Sequence, residues 1–202
     1  MNGMYGLIAL FFFVVLKIVF RMQIVGRENI DRNEEYIAIA RHRSYWDAPI
    51  VTVAIGVRTR VHYISRKGLM RGIPVVKSIL RMFSTVIDRE NFSRNDYRKV
   101  LAAMKQHRII GLFPEGTTRE GVDAKAGVIH FARLSGKRIL PVNIMASGPY
   151  PPTYPGRFPR LTVRIGESFQ ISDLQTDEPD GWTRAEQQSQ MRERLMLRVD
   201  NA

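Results

Sequence analysis

A chain of 202 residues with 31 Lys and Arg against 19 Asp and Glu carries a formal charge of +12, and 45% of it is apolar and 25% charged. Those fractions describe a globular chain long enough for one domain with a full core. With no cysteine, a disulfide scaffold, a thiol nucleophile, a cysteine zinc site and an iron–sulfur cluster are excluded, and the charge predicts an anionic partner without choosing between nucleic acid, an acidic carrier protein, phospholipid headgroups and a phosphorylated substrate.

Residues 4–20 come first, seventeen positions with a single charge, Lys17. As a helix they reach about 26 Å at ~1.5 Å per residue, short of a hydrocarbon core of ~30 Å. Phe11, Phe12, Phe13, Val14, Val15 and Leu16 make the segment apolar on every side, and a terminal helix seldom finds protein all round. No basic leader or small-residue cleavage site precedes Arg21, so a signal peptide is disfavoured. Residues 1–20 therefore read as a membrane-associating helix with Lys17, Arg21 and Arg27 near the headgroups. Spanning and interfacial placements both fit, and a buried core helix is the alternative.

Residues 21–202 read as one α/β domain. Strands are predicted at 22–25, 36–40, 61–65, 84–87, 109–113, 139–144 and 161–165, several of them continuous apolar runs of the kind buried on both faces. Helices are predicted at 47–55, 74–83 with Pro74 in the first turn, 95–107, and 125–135 closed by Gly136. Strands separated by helices imply a mixed, largely parallel central sheet flanked by helices. Four prolines and a glycine make 150–159 an extended loop. Thr183 and Glu186 form a capping box that opens a charged C-terminal helix. Residues 57–99 hold eleven basic side chains against three acidic ones, a surface suited to anionic lipid or an acidic acyl carrier around Arg66, Lys67 and Arg71.

Two turns carry chemistry. His42 follows an apolar strand, where α/β folds place their sites, and Asp47 lies five positions on. If the chain turns between them, the carboxylate reaches the second ring nitrogen, fixes the tautomer and stabilises the imidazolium formed when His42 takes a proton from a hydroxyl. Taken alone, the pair reads more readily as a histidine at a strand end and an aspartate capping a helix. The second turn runs from Gly111 to Gly121. Pro114 ends a strand, Gly116 lets backbone approach a ligand, and Thr117, Thr118 and Arg119 can cradle a phosphate. Glu115 fits an anion site only if it serves a hydroxyl or holds an arginine in place. The spacing of a nucleotide P-loop is absent. His62, His107 and His130 read as structural or solvent-facing, and neither His42 nor His130 has a third ligand at metal spacing. No metal and no cofactor are called for.

In order, His42 and Asp47, then a basic segment ending in Val86, Ile87, Asp88 and Arg89, then Phe113, Pro114, Glu115, Gly116 and Thr117, then Leu140, Pro141 and Val142, resemble the four blocks of the glycerolipid acyltransferases, in particular the bacterial 1-acylglycerol-3-phosphate acyltransferases. The resemblance covers about residues 21–166, spacing included. It implies that His42 is the general base, that Asp47 orients it, and that no acyl-enzyme forms. It implies that Arg89 binds the acceptor phosphate and that Glu115 and Gly116 bind the acceptor glycerol phosphate, with Thr117 and Arg119 beside them. Lys125 resembles a lysine that follows the third block and adds positive charge near the phosphate. Pro141 falls in the block on the acyl-donor side, where packing accounts for it. This chain departs from the pattern at Arg41, where asparagine is usual, at Ser84, where glycine is frequent, and at Thr118, where arginine is frequent.

The expected activity is acyl transfer from acyl-ACP or acyl-CoA to the free sn-2 hydroxyl of 1-acylglycerol-3-phosphate (lysophosphatidic acid), giving phosphatidic acid. The alternatives are another lysophospholipid or glycolipid acceptor, or a non-catalytic basic lipid-binding surface. The expected partners are the membrane phospholipid surface, lysophosphatidic acid and the acyl donor. Nucleic acid is not expected, since no recognised motif appears and the aromatics do not interleave with the basic residues. The expected location is the cytoplasmic face of the cell membrane.

Overall fold

The computed structural model describes residues 3–71, 74–115, 127–153, 157–175 and 183–202. Its sheet holds seven strands, β1 (Gln23–Val25), β2 (Tyr36–Ile39), β3 (Val61–Arg66), β4 (Ser84–Ile87), β5 (Ile109–Leu112), β6 (Arg138–Ser147) and β7 (Arg160–Ile165), in the order β1-β7-β6-β2-β5-β3-β4. All neighbours from β6 to β4 are parallel, β7 is antiparallel to β6, and β1 is parallel to β7. This is the mixed, largely parallel sheet the sequence predicts. Helices α1 (Gly3–Ile18), α2 (Asp47–Ile55), α3 (Pro74–Phe83), α4 (Arg94–Gln106), α5 (Gly127–Ser135) and α6 (Arg184–Asp200) accompany it.

The two-residue period of a strand divides the core. On β2, Tyr36 and Ala38 join one buried cluster with Leu16 and Phe20 from the N-terminal segment and Ile50, Val51 and Val53 from α2. Ile37 and Ile39 point the other way, into a cluster with Val100, Ala103 and Met104 of α4, Ile129 and Ala132 of α5 and Met191, Leu195 and Val199 of α6. Both faces of β2 are thus dry, which is why its run is apolar without alternation. Each fully buried Ile or Leu stabilises the fold by about 1.5–3 kcal/mol.

The boundaries that move do so for local reasons. Helix α4 starts a residue early because Ser93 caps it, accepting from the Asp96 N–H while the Asp96 carboxylate accepts from the Ser93 N–H. Strand β6 continues beyond Ile144 because β7 pairs with it out to Ser147. The Thr183–Glu186 box opens α6 as expected. Residues 125–126 of the predicted fourth helix lie outside the described residues, as does part of the proline-rich loop at 154–156. None of the helices is long and apolar enough to cross a membrane among the described residues.

Candidate active site

The parallel strands bring their following turns to one edge of the sheet: β2 leads to His42, β3 to Arg66, β4 to Arg89 and β5 to Phe113 and Glu115. His42 and Asp47, read from sequence as an orienting pair, meet with His42 Nδ1 3.0 Å from Asp47 Oδ2. Asp47 is fully buried and its charge is met on every side. The backbone N–H groups of Arg43 and Ser44 donate to Oδ2 at 2.6 and 2.7 Å, and the Tyr150 hydroxyl donates to Oδ1. A carboxylate this deep is tolerated because its lone pairs are filled. With Nδ1–H committed to Asp47, the lone pair sits on Nε2. Burial first, and then the neighbouring Asp47 charge, pushes the Tyr150 phenol up, so it stays protonated and donating.

The imidazole is also clamped by its face. Its ring stacks on Phe113 at 4.4 Å and 18°, and Phe113 stacks on Tyr63 at 5.9 Å and 5°. The Tyr63 hydroxyl donates to the Ala48 carbonyl at 2.8 Å and pairs with Thr52 Oγ1 at 2.9 Å, so the stack is pinned to α2. Glycine at 111 is required here, since a Cβ would lie 2.2 Å from Tyr63 Cε1.

Glu115 is buried, 7% exposed. Its Oε2 accepts the His42 N–H at 2.7 Å and its Oε1 accepts from Arg41 at 2.9 Å. Of the two uses the sequence leaves open for this residue, the structure displays the second: it holds an arginine, and through the His42 N–H it holds the turn that carries the imidazole. Arg41 in turn donates two bonds to Asp200 at the end of α6, at 2.7 and 2.6 Å. Asp200 raises the pKa of Arg41 above its ordinary value, so the guanidinium stays charged.

A cavity of about 670 Å³ opens beside His42. Its wall is mostly apolar, with Phe12 of α1, Pro49, Leu69, Ile79, Leu80, Phe83 and Phe113, and it also includes Arg66 and Arg89. Burial, and then the neighbouring Arg66, lowers the pKa of Arg89. Arg66 is exposed and Arg89 half-buried, and like charges on one wall favour an anion beside them. The predicted ligands Gly116, Thr117, Arg119 and Lys125 lie outside the described residues. Pro141 sits in β6 opposite Ile39 and packs where a Cβ on Gly166 would fall, the packing position expected of it.

Sequence reasoning missed Tyr150 and Asp200. The tyrosine stands in a proline-rich loop 103 positions from Asp47, and Asp200 is 159 positions from Arg41. Only a helix-terminal acid and a loop aromatic mark them, and no local spacing ties either to its partner.

An imidazole oriented by a buried carboxylate, on the wall of a largely apolar cavity with two arginines, is an arrangement able to support general base catalysis on an amphiphile. More narrowly, the chain belongs to the acyltransferase family, whose family model matches residues 21–145. It is 24% identical over 130 residues to the 1-acyl-sn-glycerol-3-phosphate acyltransferase of Bacillus subtilis (strain 168), which covers 63% of this chain and 64% of that protein. It is 27% identical over 154 residues to the enzyme of the same name from Streptococcus pneumoniae, covering 75% of this chain and 56% of that protein. The chain thus spans a little over half to just under two thirds of the length of these relatives. The crystal structure of the 1-acyl-sn-glycerophosphate (LPA) acyltransferase PlsC from Thermotoga maritima matches with a TM-score of 0.65 at 20% identity, over 98% of this chain and 78% of that one. At that identity the match speaks for the fold.

Proposed function

We propose that this chain transfers a fatty acyl group from a carrier thioester to the free sn-2 hydroxyl of 1-acylglycerol-3-phosphate, giving phosphatidic acid. The observation that carries the reading is the His42–Asp47 pair on the wall of a largely apolar cavity shared with Arg66 and Arg89. The names of its relatives support the acceptor. His42 Nε2 removes the hydroxyl proton while the oxygen attacks the thioester carbonyl. The tetrahedral intermediate then expels the thiolate, which receives the proton back from His42. A thioester is already activated, so a positioned base worth about 10²–10⁴-fold and orientation suffice. Asp47 stabilises the imidazolium between the two steps. Arg89 answers the acceptor phosphate, with Gly116, Thr117, Arg119 and Lys125 assigned to the same end by the sequence blocks, and the apolar wall takes an acyl chain.

Acceptor and product live in a bilayer, and α1 fits that setting. Met4, Leu7, Leu10, Phe11, Val14 and Ile18 stand exposed on it, a stripe at helical spacing that would lie in the interface. A donor made in the cytoplasm places the enzyme on the cytoplasmic face. The test is thiol release from acyl-CoA and from acyl-ACP by purified protein in detergent, with and without lysophosphatidic acid, the lipid product being followed by mass. Acceptor-dependent release with phosphatidic acid is expected, and the preferred donor follows from the two arms. His42→Ala is expected to lower turnover by about a thousandfold or more while the protein still melts cooperatively, at a lower temperature because Asp47 loses a partner. Release without an acylated lipid, or turnover retained by His42→Ala, overturns the assignment.

A further inference from the structure

A second cavity, of about 330 Å³, lies at the opposite end of the sheet from His42, a volume at the lower end of small-ligand sites, roughly 300–1,000 Å³. It is built from the segments that precede β2, β3 and β5, whereas the catalytic turns follow those strands. Its floor is apolar, with Phe13, Ile30, Ile55 and Val57. Its rim holds four arginines, Arg27, Arg32, Arg58 and Arg108, and no acidic side chain lines it.

The arginines are not engaged by carboxylates among the described residues. Arg27 donates through Nε and Nη2 to the Ala54 and Val53 carbonyls at 2.8 and 2.7 Å. It thereby answers the carbonyl end of α2 and retains its charge. Arg108 donates to the Glu34 carbonyl at 2.8 Å. Backbone carbonyls fix these two guanidiniums without neutralising them, so their remaining N–H groups are preorganised for an anion. Two acids adjoin these arginines in sequence, Glu28 beside Arg27 and Asp31 beside Arg32; neither forms an ion pair among the described residues, and Asp31 Oδ1 accepts the Asn33 N–H at 2.8 Å. A solvated basic face would need neither a cavity nor an apolar floor.

Helix α1 separates this cavity from the catalytic one. Phe13 lines the first, Ala9 and Phe12 line the second, and Leu7, Leu10, Phe11 and Val14 stay exposed. We propose that the arginine-rimmed cavity is a second lipid site, distinct from the catalytic cavity, that takes the phosphate headgroup of an anionic phospholipid with its glycerol and first methylenes on the apolar floor. The lipid source rests on the reading of α1 as membrane-apposed. The shared chemistry, a phosphate among guanidiniums, is tested apart from it.

The absence of cysteine allows a single fluorophore to be attached at an introduced cysteine, Asn33→Cys, on the exposed loop beside Arg32. The protein is titrated below micelle formation with dihexanoyl phosphatidic acid, dihexanoyl phosphatidylcholine or inorganic phosphate, without acyl donor. A saturable emission shift is expected with phosphatidic acid. Arg32→Gln with Arg58→Gln should weaken it about tenfold or more. Arg98→Gln with Lys105→Gln on α4, an equal change of charge elsewhere, should leave it within twofold. No saturable shift overturns the site. Equal weakening by the α4 pair assigns the response to general charge and also overturns it. An equal response to phosphatidylcholine removes the anion requirement, and an equal response to inorganic phosphate removes the lipid. Because binding is read without turnover and without vesicles, failure of the acyltransferase reading or of α1 insertion leaves this result standing.

Discussion

At the scale of single residues, the proposed base His42 is held by a chain of charge that crosses the whole sequence. Asp200 fixes Arg41, Arg41 and the His42 N–H occupy the two oxygens of Glu115, and the turn carrying His42 follows. Arg41 and Asp200 are each about two-fifths exposed, so their pairing contributes little to stability, about 0–1 kcal/mol. Its effect falls on geometry, where small displacements of a base are costly in rate. Asp200→Asn is therefore expected to lower kcat about tenfold while leaving the melting temperature within about two degrees. Steady-state kinetics beside a thermal melt checks it. An unchanged kcat would show that Glu115 positions the turn without help from α6. His42, Asp47 and Glu115 were visible in the sequence because they sit in short blocks with fixed spacing. Asp200 was not, because the contact exists only after α6 has packed beside β6.

Among the elements, β3 and β5 meet in a way that ties packing to the site. Gly111 of β5 leaves room for the Tyr63 ring of β3, which continues the stack that carries His42. Gly111→Ala drives a methyl into that ring. Overpacking of this kind costs about 1–3 kcal/mol and tilts Phe113, so both the melting temperature and kcat should fall. Loss of neither would refute the stack as a support. The same strand carries a pH-dependent weakness. His62 stacks on His107 at 3.8 Å, bonds Thr85 Oγ1 through Nε2 at 2.9 Å, and has no partner for Nδ1 among the described residues. Burial first, then His107 and Arg60, lowers its pKa from 6.5 to about 4. The unfolded chain binds this proton near pH 6.5 and the folded chain near 4, so its contribution to stability is present above pH 6.5 and is lost as pH falls through that window. His62 is buried, and a displacement of that size corresponds to a loss of about 3 kcal/mol. Asp96, held down to about 2 by Ser93, loses its contribution only below that window. Thermal melts from pH 7 to 4 should fall for the native chain and stay flatter for His62→Phe, whose ring retains the stack. An equal slope in the variant would assign the loss to other groups.

For the molecule as a whole, the legible part was the part written in periodicity. Apolar runs gave β2, β5 and β6, capping chemistry gave α6, and their alternation gave the largely parallel sheet. Strand order was not legible, because β2 lies between β5 and β6 only through crossovers whose lengths do not specify neighbours. The N-terminal helix illustrates both outcomes. Its apolar run predicted a membrane-associating helix, and the structure divides the run by face. Tyr5, Ala9, Leu16 and Phe20 are buried, Phe12 and Phe13 border the two cavities, and Leu7 and Phe11 are 69% and 62% exposed. Apolar side chains at helical spacing with that exposure leave most of their surface uncovered, Phe11 meeting only the edge of Phe12 among the ring contacts of the described residues, and their transfer from water to lipid is worth about 2 kcal/mol each. Lys17, Arg21 and the basic surface add attraction to an anionic leaflet, about 1 kcal/mol per charge close to it. Because Phe12 also lines the catalytic cavity, a helix lying in the interface would set that cavity beside the acyl chains it is to receive. Leu7→Glu with Phe11→Glu is therefore expected to reduce partitioning onto phosphatidylglycerol vesicles at least a hundredfold. Turnover of a short-chain acceptor in detergent should stay within about twofold, since neither side chain reaches the site. Flotation of the two proteins with the same vesicles decides it: unchanged partitioning would mean that the exposed stripe of α1 does not contact lipid.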